Sequence, residues 1–70
     1  MHKRRYGDDA LGELCEKILT GITRTLILNA SVVGEGVVCT TRAFYADSVR
    51  QCLANLLTPP ELTLISLKFI

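Results

Sequence analysis

The spacing of apolar residues changes along this chain and divides it into five elements. From Leu11, apolar residues Leu14, Cys15, Ile18, Leu19 and Ile22 follow mainly at offsets of three and four, which places them on one stripe of a helix. Asp8 and Asp9 offer N-cap chemistry and favourable charge, so the helix is expected to begin there, and Gly21 offers a left-handed stop. Glu13 and Lys17 make an i,i+4 pair outside the stripe.

Thr23 to Val33 is rich in β-branched residues and predicts a strand. Gly34, Glu35 and Gly36 predict a turn, and Val37 to Tyr45 a second strand, so the two form a hairpin. With a three-residue loop, Val33 lies opposite Val37. Alternation then gives one face Leu26, Leu28, Ala30 and Val32 with Val38, Thr40, Arg42 and Phe44, the better core. The other face takes Thr25, Ile27, Asn29, Ser31 and Val33 with Val37, Cys39, Thr41, Ala43 and Tyr45. A slip of one residue would exchange part of this assignment.

Ser48 followed by Gln51 matches a capping box, so a second helix is expected from Asp47 or Ser48, with the stripe Val49, Cys52, Leu53, Leu56 and Leu57. Thr58, Pro59 and Pro60 end it, since proline has no N–H for the helix ladder. Glu61 to Ile70 reads as a last strand, with Thr63, Ile65, Leu67 and Phe69 on one face. The expected fold is α+β, with two amphipathic helices packed on one face of a small three-stranded, mainly antiparallel sheet in the order α-β-β-α-β. Residues 1–7 are expected to form a flexible basic arm and residues 8–70 a single domain.

Covering one sheet face with both helices leaves the other bare. Ile27, Val33, Val37, Cys39 and Tyr45 would form an apolar patch there, the expected surface for a partner protein or a homodimer. Chain length strengthens this expectation. Seventy residues support one core, and domains below about 80 residues commonly need a disulfide, a metal, oligomerisation or very efficient helix packing. Three cysteines without CxxC spacing fit a reducing compartment better than a disulfide framework.

Composition narrows the remaining classes. Hydrophobic residues are 49% of the chain and charged ones 21%, a globular balance rather than a disordered one. A formal charge of +1 provides no global field toward nucleic acid or an anionic membrane. No apolar run approaches the roughly 20 residues of a membrane span, and none follows the basic N-terminus as in a signal peptide. A cytoplasmic protein without membrane association is expected.

The chemical motifs have plain alternatives. Tyr6-Gly7-Asp8-Asp9 resembles the metal-binding turn of RNA-dependent polymerases, yet it precedes a helix, where paired aspartates serve as caps. Structural zinc needs four Cys or His ligands, and here three scattered cysteines accompany the single His2. Cys15 and Cys52 fall on helical stripes, which leaves Cys39 as the candidate reactive thiol. With the only histidine at position 2, in the expected flexible arm, no catalytic constellation with a credible base forms, so neither enzyme activity nor a cofactor is expected. Asn29-Ala30-Ser31 satisfies a glycosylation sequon, which an intracellular strand would not use. Lys3, Arg4, Arg5 and Arg42 are candidate nucleic-acid contacts, with Phe44 and Tyr45 as a stacking surface.

The function expected from these features is non-catalytic protein binding, through the bare sheet face or an exposed strand edge. In size and plan the chain resembles small phage-encoded host-takeover proteins, including anti-CRISPR inhibitors. The resemblance lies in overall format and implies inhibition of a host complex by steric occlusion. The alternative is a nucleic-acid-binding accessory protein that uses the basic arm.

Overall fold

A computed structural model describes residues 6–22 and 25–70, with side chains from Ala10 onward. The arm residues Met1 to Arg5 therefore lie outside the described residues, as do the side chains of Asp8 and Asp9. Helix α1 spans Tyr6–Gly21, starting slightly before the aspartates. Its buried stripe is Leu11, Leu14, Cys15 and Ile18, continued by Ile22 just past its end, whereas Leu19 is 45% exposed. At 3.6 residues per turn Leu19 sits about 80° from the stripe's centre, too far round to reach the sheet. Gly21 does not act as a left-handed stop, because among the described residues only Gly34 has positive φ. Its value lies in close packing, since a Cβ there would come within 2.7 Å of the Leu56 side chain.

Strands β1 (Asn29–Val33) and β2 (Gly36–Thr41) form the expected hairpin with a shorter loop. Val33 pairs with Gly36 and Val32 with Val37, so only Gly34 and Glu35 make the turn. Gly34 has φ of 63° and Glu35 does not have positive φ, the signs of a type II′ turn, whose twist matches the flanking strands. This single-residue difference from the expected register leaves β1's faces as read and exchanges those of β2. Val37, Cys39 and Thr41 therefore point into the core, while Val38 and Thr40 take the open face.

Beyond Thr41 the chain leaves the sheet. Ala43–Tyr45 forms a 3₁₀ turn that leads into α2 (Ala46–Leu56). Tyr45 takes the N-cap position without a side-chain bond and Asp47 supplies negative charge in the first turn. The proline pair ends α2 and also begins another helical turn, α3 (Pro59–Leu62). Proline is favoured at the first helical position, and Glu61 at the third accepts the Thr58 N–H at 2.9 Å.

Strand β3 is shorter than expected (Ile65–Phe69) and runs parallel to β2, giving a mixed sheet of order β1-β2-β3 rather than a mainly antiparallel one. The β2–β3 connection contains α2, and a helical crossover of this length returns the chain in the same direction. Leu11, Ile18, Ile27, Val37, Val49 and Leu53 belong to one continuous core between both long helices and this sheet face. Among the described residues, Thr41 is the buried polar one. Its hydroxyl donates to the carbonyl of Leu26, tying the segment before β1 to the central strand. Lys17 is ion-paired with Glu61 at 3.3 Å, joining α1 to α3.

Candidate functional site

The apolar patch expected on the bare face is largely dissolved by the observed register. Val37 and Cys39 are buried at 1% and 0% exposure, and Ile27 at 2%. Ile27 lies before β1, where strand alternation no longer governs direction, and turns into the core. Val33 stays outside at 58% exposure, and Tyr45 is half-buried against the core. The open face instead carries Asn29, Ser31, Thr40, Ser66 and Lys68 around Val33 and Val38, with exposed Leu64 and Ile70 just beyond the ends of β3, so polar residues separate its apolar ones.

Among the proposed nucleic-acid contacts Arg42 is exposed, while Lys3, Arg4 and Arg5 lie outside the described residues. Next to Arg42, Phe44 is 74% exposed, with its ring centroid 4.5 Å from that of Tyr45.

Cys39 is poorly suited to act as a nucleophile. Burial, with a smaller contribution from nearby Cys15, pushes its thiol up to about 11, leaving little thiolate at neutral pH. Burial also raises Cys15. Among the described residues no group of three or more His, Cys, Asp and Glu side chains is arranged to hold a metal ion, and no helix is long and apolar enough to cross a membrane.

Among the described residues, β3 forms one edge of the sheet. The Val37 N–H donates to the Leu64 carbonyl at 2.8 Å and the Ile70 N–H to the Thr41 carbonyl at 3.0 Å. These contacts fix which β3 residues face β2. With a two-residue period, Ile65, Leu67 and Phe69 direct their N–H and C=O groups to the outer edge. The same three residues are level with Val37, Cys39 and Thr41, so their side chains lie on the helix side of the sheet.

Beside them runs a groove of about 390 Å³ lined by Arg50, Leu53, Ala54, Leu62, Ile65 and Leu67. Ile65 and Leu67 are half-buried, and Ala54 is small enough to leave room over the strand. Arg50 closes one end, with its guanidinium carbon 5.3 Å from the centroid of the Phe69 ring and an ion pair to Asp47 at 3.5 Å. The sequence points to an exposed strand edge without singling out this one, because its identity follows from strand order. The available signal was the alternation of Ile65, Leu67 and Phe69. Comparison of the chain with protein-family models, curated proteins and solved structures gives no match.

Proposed function

We propose that this chain is a non-catalytic protein-binding module that receives an extended segment on the outer edge of β3. One observation carries the reading: Ile65, Leu67 and Phe69 offer outward backbone groups, and Ile65 and Leu67 also line the groove beside them. An added strand would gain main-chain hydrogen bonds from the first and side-chain pockets from the second, the combination used in strand addition. Steric occlusion of a host complex needs only such binding, in keeping with the format shared with phage takeover proteins.

The experiment uses linear peptides selected on the wild-type protein from a combinatorial display library. Leu67→Pro removes an outward N–H and spares the ladder to β2, so it should keep the far-UV CD spectrum and lose those peptides. Amide exchange in the wild-type protein supplies a measurement independent of the variant. At dilutions where the chain is monomeric, the Leu67 and Phe69 amides should exchange quickly without peptide and slow when peptide is bound. Unchanged binding by folded Leu67→Pro, or unchanged exchange at both amides, refutes the edge as the site.

The exposed Phe44 ring beside Arg42 favours a second reading, single-stranded nucleic-acid binding by stacking. Here Phe44→Ala should weaken binding of a fluorescent oligonucleotide by roughly tenfold, within the range seen for loss of a stacked base. An affinity independent of salt excludes it.

A further inference from the structure

Building on the β3-edge reading, we infer that the segment received is β3 of a second copy, paired antiparallel about a two-fold axis at Leu67. The sequence of this strand is self-complementary in that register. Residues with outward backbone groups then oppose one another, Leu67 facing the partner copy's Leu67 and Ile65 facing its Phe69, so outward donors meet outward acceptors. Opposed residues share a face. The second copy's Phe69 therefore lies beside Ile65 and Leu62, and its Leu67 lies over Ala54, filling the groove of about 390 Å³ with apolar side chains.

Charge selects the same register. Lys68 projects on the open face, and with the axis at Leu67 it stands opposite Ser66 of the second copy. Sliding the pairing so that the axis moves to Lys68 places two lysines opposite each other, which is unfavourable. Moving the axis to Ser66 avoids that clash but leaves Phe69 beyond the paired strand. Pairing β3 with the β1 edge of another copy would be heterologous and would propagate, whereas β3 with β3 closes as a two-fold dimer.

Sedimentation equilibrium of the full chain over a concentration series tests the assignment. The wild type should pass from one chain mass to two and stop. Leu67→Pro should remain monomeric while retaining its CD spectrum. Ser66→Glu sets a carboxylate opposite Lys68 twice per dimer and should tighten the dimer about three- to tenfold, and Ser66→Lys should loosen it by a similar factor.

These two variants alter only an exposed side chain, so they remain decisive if Leu67→Pro fails to fold. A monomer at all concentrations, mass growing beyond two chains, or weakening by Ser66→Glu overturns the dimer. If the wild type is monomeric and still binds selected peptides through the Leu67 amide, the edge reading stands and this assignment of its occupant fails. If neither peptide nor second copy engages that amide, both fall.

Discussion

Thr41 illustrates how one side chain carries a long-range constraint. It is buried, and its hydroxyl meets the carbonyl of Leu26 across the chain's path into β1. Thr41→Val keeps the shape and removes the donor, so it should destabilise the fold by about 1–2 kcal/mol, measured by urea unfolding. Thr41→Ser should retain the bond and lose mainly a methyl contact. The cysteines separate by accessibility. With a thiol-reactive chromophore at neutral pH, Cys52, which is half-buried, should react first. Cys39, with its thiol raised to about 11, should react only at the rate of unfolding. Early labelling of Cys39 would contradict its placement in the core.

At the scale of elements, two glycines act by different means. Gly34 needs its positive φ, so Gly34→Ala should cost about 1–2 kcal/mol through backbone strain. At Gly36 a Cβ would lie 2.7 Å from the Leu64 carbonyl oxygen, which itself accepts the first β2–β3 hydrogen bond. Gly36→Ala must therefore displace backbone and should also speed exchange of the Val37 amide, a change that Gly34→Ala should not produce. Denaturation and amide exchange on both variants check the distinction.

The α3 turn predicts an acid-sensitive contribution to stability. Hydrogen bonds from the backbone and hydroxyl of Thr58, followed by Lys17, hold Glu61 below the ordinary carboxylate value. A carboxylate lowered in the folded state stabilises above its unfolded value and loses that effect as pH falls through the folded one. Wild type should thus melt higher than Glu61→Gln at neutral pH, and the gap should close on acidification. A gap independent of pH would remove the charge from this account.

For the whole molecule, size is the governing quantity. A chain of 70 residues has one small core and limited stability to spare. If two copies pair through β3, binding between native chains raises the melting temperature with protein concentration. Scanning calorimetry should show that rise for wild type and a flat response for Leu67→Pro. The same pairing would cover one sheet edge and leave the open face in water, so the continuous apolar surface expected across that face is not needed for association.

Local chemistry made much of this structure legible. The stripe from Leu11 to Ile22, the order α-β-β-α-β, the turn at Gly34 and the end of α2 before the prolines are all written in short-range patterns. Even α3 is legible in Thr58-Pro-Pro-Glu61, where the prolines that close α2 also open the next helical turn. Hairpin register was different. Gly34-Glu35-Gly36 accommodates either a two- or three-residue loop, and the run Val37-Val38-Cys39-Thr40-Thr41 has no clear polar side to choose between them. The choice depends on which β2 side chains fill the space under α1 and α2. The parallel direction of β3 and its position at the edge likewise depend on how the crossover packs. The sequence by itself determined the two long helices, the hairpin and the presence of a last strand, though not where the strands begin and end, because helix periodicity and turns act among near neighbours. Only the tertiary structure decided that Ile27, Val37 and Cys39 are core and that β3 presents an open edge, because pairing and burial are settled by contacts between distant segments.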